Sequence, residues 1–476
     1  MSVASMEVDL AVIGAGPAGQ KGAIQGAKAG KRVVVIDRLG LLGGACLNQG
    51  TIPSKTLRRA ILDLTGYLQS AYYGQARRSR EEVSISDLTF RVNKVIEDEN
   101  ALLQEQCAAN DVLTAYGTAR FVDANTIEVV DSEEQVSHRV SAEKVLIATG
   151  SRPRHPIDIP DDGELFVDSD EVFRLKALPK SLLVLGAGII GCEYATMFAA
   201  LGINVILVER RGTMLRMLDR EIGERFAQYT EQLGVDIRLG QGIDEIVKNE
   251  DGLAEIRFAN GETVAAECLF YSMGRVANVD SLNLVAAGVT LNDNGNIVVN
   301  PLFQTASPNI YAAGDVIGPP GLASTSLEQG RLAVRNAFLL KSHHFPEFFP
   351  YGIYTVPEIS SVGPTEEELQ EQGVHYAIGR ATYGEIARGP IAGDTTGMFK
   401  LIFHHETLEL LAVHIIGREA TELIPIGQIA MNFKARVSYF VDSIFNYPTF
   451  AEGYRVAALN GLNKVGRASD EGQQDN

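Results

Sequence analysis

Hydrophobic and polar positions change period along the chain, and the changes mark out one unit that occurs twice. Val8 to Ile13 is a short, β-branched apolar run, as in a strand buried on both faces. Gly14-Ala15-Gly16-Pro17-Ala18-Gly19 follows at once. An alanine-rich segment to Ala29 then reads as helix and is ended by Gly30. Arg32 to Ile36 predicts a second strand, closed by Asp37. The series restarts at Ser181, with a strand to Leu185 and then Gly186-Ala187-Gly188-Ile189-Ile190-Gly191. A helix over Glu193 to Leu201, a strand over Asn204 to Val208 and Glu209 complete it. An internal repeat of this kind predicts two dinucleotide sites.

Between the repeats, Thr56 to Gln106 carries helical periodicity, broken by serines between Val83 and Thr89. Tyr116 to Val130 alternates like strands around a turn at Val122 to Thr126. Lys144 to Ala148 is another buried strand and runs into Thr149-Gly150-Ser151. Leu269 to Gly274 is one more, and Asn309 to Asp315 returns the chain to the first domain. After Pro350, strands at Phe399 to Phe403 and Leu410 to Ile416 alternate with helices at Thr421 to Phe433 and Ala451 to Leu462. That region has no phosphate loop and reads as a separate α+β domain with a dimer surface. The expected class is α/β, with two Rossmann-like dinucleotide-binding domains and a C-terminal α+β domain. The expected segments are 1–152 and 277–350 for the first domain, 153–276 for the second, 351–467 for the third, and a disordered polar tail at 468–476.

Each glycine in the fingerprint has a task. The first makes the turn, the second lets backbone approach a pyrophosphate, and the third packs helix on strand. Asp37 and Glu209 stand where a carboxylate can bond ribose hydroxyls. Composition narrows the partners. The 476 residues carry a net charge of −18, which disfavours nucleic acid and anionic membrane. The N-terminus lacks the basic start and long apolar core of a signal peptide, and no apolar run approaches a membrane span. Cys46, Cys107, Cys192 and Cys268 form no CxxC, so a reducing compartment, the cytoplasm, is expected. The eight histidines form no spaced cluster and indicate no metal site. His404-His405 reads as a strand end or surface pair, and Glu366 to Glu371 as a solvated acidic helix face.

Residues 43 to 55 concentrate the remaining chemistry: Gly43-Gly44-Ala45-Cys46-Leu47-Asn48-Gln49-Gly50-Thr51-Ile52-Pro53-Ser54-Lys55. Taken with Ala148-Thr149-Gly150, Gly314-Asp315, Tyr447-Pro448-Thr449 and Glu452, this order of motifs resembles the FAD-dependent pyridine nucleotide-disulfide oxidoreductases, the group of dihydrolipoamide dehydrogenase and glutathione reductase. The likeness runs from Val8 to about Val465. It implies an FAD domain interrupted by an NAD domain, then a central segment and a dimerisation domain. In that family the stretch from Cys46 to Thr51 holds a redox disulfide, and a histidine precedes Pro-Thr. Here Thr51 replaces the second cysteine and Tyr447 the histidine. A hydroxyl forms no disulfide, and a phenol with a pKa near 10 does not shuttle protons as imidazole does. One branch of the family, the soluble pyridine nucleotide transhydrogenases, is similar in this same pattern, and also in Gly191-Cys192-Glu193-Tyr194-Ala195 and Ile353 to Gly363.

The resemblance implies ping-pong hydride transfer between NAD(H) and NADP(H) through FAD, without a disulfide. An NADH-dependent reductase of a quinone, dye or oxygen is the alternative. Lys55 and Glu193 are implied as an ion pair near flavin N5, with a plain interdomain salt bridge as the other reading. Cys46 is either a residual redox thiol or a small residue packed near the ring; Cys192 reads as core. Cofactor contacts are implied at Gly14, Gly16, Pro17, Gly19, Asp37, Arg38, Gly43, Gly44, Cys46, Lys55, Gly117, Thr149, Gly150, Ser151, Gly186, Gly188, Ile190, Gly191, Glu209, Arg210, Gly274, Gly314, Asp315, Leu322 and Ala323. Glu209 selects NAD(H), whereas Arg210 and Arg211 either clamp a 2′-phosphate of NADP(H) or form a solvated turn. Nicotinamide dinucleotides are the expected substrates, and a homodimer or higher homo-oligomer the expected assembly.

Overall fold

The structure, a computed structural model, describes residues 3–66, 83–156, 159–160, 162–341 and 344–474. Part of the helical region expected between Thr56 and Gln106 lies outside these residues. The chain divides into two compact units. One comprises Met1–Leu57, Thr89–His155 and Gly274–Pro346; the other comprises Arg58–Leu88, Pro156–Met273 and Glu347–Asn476.

The first unit is built on one sheet. Among the described residues its strands run Leu113–Tyr116, Val33–Asp37, Ala4–Ile13, Val136–Ile147, Thr126–Val130 and Thr118–Phe121, with Ile310–Ala312 also on Val136–Ile147. Ala4–Ile13 is parallel to both its neighbours. Leu10 and Val12 feed one core, while Ala11 and Ile13 feed the other. Both faces are therefore covered, which is why Leu10 to Ile13 is continuously apolar rather than alternating. Helix Pro17–Lys28 packs on helix Ala323–Ala337 at backbone distance. A Cβ added to Gly330 would lie 2.0 Å from the Ala18 carbonyl oxygen. The serine-rich break, in the segment Arg58–Leu88 of the other unit, is the N-cap of the helix after it: Ser84 Oγ accepts from the Asp87 amide, and Asp87 Oδ2 accepts from the Ser84 amide. Helix Ile85–Ala108 follows it.

The second unit holds a parallel sheet in the order Asp236–Leu239, Asn204–Glu209, Ser181–Leu185, Cys268–Tyr271, Phe166–Val167. It also holds an antiparallel sheet in the order Tyr351–Ile353, Ile359–Val362, Leu410–Ile416, Met398–His404, Tyr376–Thr382. Helix Arg220–Gln232, beside the first sheet, is tied to the second by charge. Asp219 caps this helix and is fully buried. Lys400 Nζ, in the strand Met398–His404, lies 2.9 Å from both Asp219 carboxylate oxygens and 2.5 Å from Glu366 Oε2. Arg380 grips Glu221 through Nε and Nη2. Helix Glu366–Glu371 is thus not the purely solvated face expected, because Glu366 completes the shell of Lys400. The last helix of the described residues is Glu452–Gln474.

His414 is buried beside this cluster. Its Nε2 faces the Pro364 carbonyl at 3.2 Å, and Nδ1 has no hydrogen-bond partner among the described residues. Burial pushes its pKa below the ordinary value, against the opposing charge of Asp219. Burial acts to raise the carboxyl pKa of Asp219 and Glu221, but the cations beside them outweigh it and hold both below the carboxylate range. The signs agree. Unfolded His414 takes a proton below about pH 6.5 whereas the folded one resists it, so stability drains as pH falls through that value. The two carboxylates add a second loss as pH falls below about 4. Thermal unfolding followed downward from about pH 7.5 is expected to show Tm dropping from about pH 6.5. The first phase should vanish in His414→Leu; a Tm flat between about pH 7 and about pH 5 would count against this account.

Candidate dinucleotide sites

Both repeats build the same cradle. Gly14 and Gly186 both have φ of 101°, open to glycine but strained for other residues. Cβ atoms on Gly19 and Gly191 would lie 1.9 and 1.8 Å from the carbonyl oxygens of Gly14 and Gly186. The third glycine of each turn therefore sits backbone on backbone. Helices Pro17–Lys28 and Ile189–Ala200 start at Gly16 and Gly188, and neither start has a side-chain cap. The free first-turn amides and the helix dipole suit a pyrophosphate. Asp37 Oδ2 accepts from the Ala15 amide at 2.9 Å, and Glu209 Oε2 from the Ala187 amide at 3.0 Å. Their other oxygens accept from the Leu39 and Arg211 amides. A carboxylate has about four acceptor positions, so both keep room for a ribose.

In the first unit, the Gly43-Gly44 segment lies directly on this turn. The Gly43 amide donates to Ala15 O, and a Cβ on Gly44 would lie 2.7 Å from Gly16 Cα. Asn48 Nδ2 fastens the segment through the Leu42 and Gly44 carbonyls, and Asn100 Nδ2 donates to Asn48 Oδ1. Gly117 donates to Asp37 O, and Arg38 is exposed. Thr149 Oγ1 is buried and has no hydrogen-bond partner among the described residues, and Asn278 holds the Thr149 and Gly150 carbonyls. Ser151 Oγ donates to Asp315 Oδ2 at 2.7 Å and accepts from Arg275 Nε at 2.8 Å. Gln329 Oε1 accepts from the Gly314 amide. Leu322 and Ala323 open a second helix without a side-chain cap. Gly274, with φ of 92°, accepts from the Arg154 amide. The orphaned Thr149 hydroxyl and the Cβ-free glycine surface fit a bound dinucleotide with a polar ring. Asn48, Asn100, Arg275, Asn278 and Gln329 carry no local motif, and sequence reasoning does not find them.

Cys46 is half-buried. Burial pushes its thiol pKa up, a hydrogen bond with Thr51 pulls the other way, and the charges of Asp315 and Lys55 act on it in opposite directions. It is a protonated thiol beside a hydroxyl, not an activated thiolate. Lys55 Nζ donates to Ser54 Oγ. In the second unit, Glu193 is buried and its Oε1 accepts from the Tyr354 amide at 2.8 Å. Arg58, paired to Glu358 at 3.1 Å, acts electrostatically on Glu193. Sequence reasoning gives Arg58 no role. Ile190 is partly exposed on the first turn of its helix, Arg210 and Arg211 are exposed, and Cys192 is fully buried with Sγ on Ala187 O. Tyr447 is exposed, while Glu452 Oε2 is buried without a hydrogen-bond partner among the described residues.

Residues 8–330 match the family described as pyridine nucleotide-disulphide oxidoreductase, and 349–458 match its dimerisation domain. The chain belongs to that family. It is 45% identical over 459 residues to the soluble pyridine nucleotide transhydrogenase of Mycobacterium tuberculosis, covering 96% of this chain and 98% of the relative. It is 41% identical to the protein of that name from Marinomonas, over 96% and 98%. Among solved structures, the HOCl-induced flavoprotein disulfide reductase RclA from Escherichia coli matches at 28% identity with a TM-score of 0.84, over 95% of this chain and 99% of that one. LpdA from Mycobacterium tuberculosis matches at 25% identity with a TM-score of 0.87, over the same shares. Membership implies FAD and nicotinamide dinucleotides as the cofactors.

The Gly43-Gly44 contact with the first glycine turn is expected to govern flavin retention. Gly44→Ala adds a Cβ against Gly16 at a residue with φ of 55°. Its flavin affinity is expected to fall at least about tenfold, or about 1.4 kcal/mol. Gly188→Ala, with open space at its Cβ, should keep its flavin. The ratio of flavin to protein absorbance after purification checks both.

Proposed function

We propose that this chain is an FAD-dependent enzyme that moves hydride between NAD(H) and NADP(H) without a redox disulfide. The observation carrying it is a paired loss: Thr51 stands beside the Cys46 thiol, and Tyr447 stands before Pro448 and Thr449, while both glycine cradles stay intact. A thiol whose hydrogen-bond partner is a hydroxyl closes no disulfide, so reducing power has no dithiol to enter. The relatives named as transhydrogenases support the same reading.

FAD, when bound, supplies a ring that takes and returns hydride. The protein binds and orients. The uncapped helix starts hold pyrophosphates, and Asp37 and Glu209 fix the turns and offer acceptors to ribose hydroxyls. Lys55, whose charge reaches the Cys46 thiol, supplies positive potential where Gly43 to Cys46 meets the cradle. Glu193 holds the Tyr354 backbone and is countered by Arg58. Cys46 packs and stays protonated. One nicotinamide site, used by donor and then acceptor, suffices for a ping-pong cycle. Glu209 favours NAD(H) as the better-bound partner. The match to a dimerisation domain and the exposed Phe433, Tyr439 and Ile444 support a homodimer, and four unpaired thiols suit the cytoplasm.

The FAD-loaded enzyme is expected to reduce thio-NAD+ with NADPH, giving parallel double-reciprocal lines. Quinone reduction without transhydrogenation would favour the diaphorase alternative instead, and converging lines would defeat the ping-pong order. In stopped flow, Lys55→Met should slow bleaching of the flavin by NADH about tenfold or more. Unchanged bleaching would remove Lys55 from the mechanism.

A further inference from the structure

The loop from Arg210 to Leu218 joins the strand Asn204–Glu209 to Asp219, and it carries the exposed Arg210, Arg211 and Arg216 beside the second cradle. Both its ends are fastened. At its start, Glu209 binds the Ala187 amide with one oxygen and the Arg211 amide with the other. In its middle, the amide of buried Leu215 donates to Ala187 O at 3.0 Å, and the Leu218 amide donates to Leu215 O. Ala187 is the middle residue of the second glycine turn, so this loop and the carboxylate that opens it engage both its backbone groups. At the loop's end stands Asp219.

Asp219 is held from outside the nucleotide-binding repeat. Its two oxygens take Lys400 Nζ at 2.9 Å each, and Oδ2 also takes the Glu366 amide at 3.2 Å. Lys400 and Asp219 are 1% and 0% exposed, so water does not screen the pair. Glu221 and Glu366 complete the shell of Lys400 at 3.3 and 2.5 Å. Removing Lys400 would take from Asp219, Glu221 and Glu366 the one cation that contacts all three, leaving Arg380 on Glu221. That excess charge would push Asp219 away and draw with it the short stretch back to Leu215, whose amide holds the glycine turn.

We propose that Lys400, acting through Asp219, is a positioning residue for nicotinamide-nucleotide binding, holding the Arg210–Leu218 loop against the second glycine turn. The proposal rests on reading that cradle as the nicotinamide-nucleotide site. Lys400 touches no nucleotide. It sets the place of the arginines that meet the adenosine end, so its loss weakens binding more than turnover.

The test measures NADP+ and NAD+ binding to the FAD-loaded full chain by isothermal titration, alongside steady-state kinetics. Lys400→Met is expected to raise the NADP+ dissociation constant and KM about tenfold, with kcat at saturation within about twofold. Asp219→Asn, which keeps the cap but loses the charge, should shift binding the same way by a smaller factor. Lys400→Arg should recover part of the affinity, which a general loss of folding would not show. Nucleotide affinity unchanged in Lys400→Met overturns the proposal. Where Lys400→Met does not fold, unchanged affinity in Asp219→Asn overturns it equally. Binding is read directly, so a wild-type enzyme that binds NADP+ but does not transhydrogenate refutes the proposed activity and leaves this comparison decisive.

Discussion

Two carboxylates hold the two turns on which everything else rests. Asp37 and Glu209 each accept from the middle amide of a glycine turn, and in both repeats the two residues are 22 positions apart. The turn needs that anchor. Its first glycine has a positive φ, and its third presses on a carbonyl with no room for a methyl group. A backbone this tightly folded leaves its amides pointing outward, and the side chains around it have no atoms to spare for capping. The free amides are donors of the kind that suit a pyrophosphate. The strand end that enters the first turn, Leu10 to Ile13, is apolar because both its faces are covered: Leu10 and Val12 pack with helix Pro17–Lys28, and Ala11 and Ile13 with the strands Thr118–Phe121 and Thr126–Val130.

The chemistry then depends on what surrounds the first turn. Gly43 and Gly44 lie on it, and Cys46 follows within the same short helix. With Thr51 as hydrogen-bond partner and burial raising its pKa, the thiol has neither a mate nor a thiolate to offer. The site keeps its shape while losing one route for electrons. Glu452, with a buried oxygen unpartnered among the described residues, and the exposed Tyr447 show the same loss at the far end of the chain.

Much of this is legible in the sequence because it is local. The two fingerprints, their strands and their closing carboxylates follow from spacing, and the strand Leu410–Ile416 agrees with its apolar run to the residue. The ends of elements are less legible. The serines before Ile85 read as a break, whereas Ser84 is a cap. Residues that act across long separations are not legible at all. Asn278 serves Thr149 from 129 positions away, and Lys400 meets Asp219 from 181. A lysine in an apolar strand reads as a solvent-facing position, and only the fold reveals that it points at a buried acid. The acidic run at Glu366 reads as solvated for the same reason.

The buried pair also limits how the chain can be cut. The segment 156–273 has the look of a portable nucleotide-binding module, and 347–476 that of a portable sheet. Separated, the first would carry Asp219 and Glu221 without Lys400, and the second would carry Lys400 with Glu366 as its remaining acid in the cluster. An uncompensated charge in such a place costs about 3–5 kcal/mol, a large share of the stability of a single domain. The two segments are thus one inheritable piece, and a chimera that exchanges either must exchange both or redesign the contact.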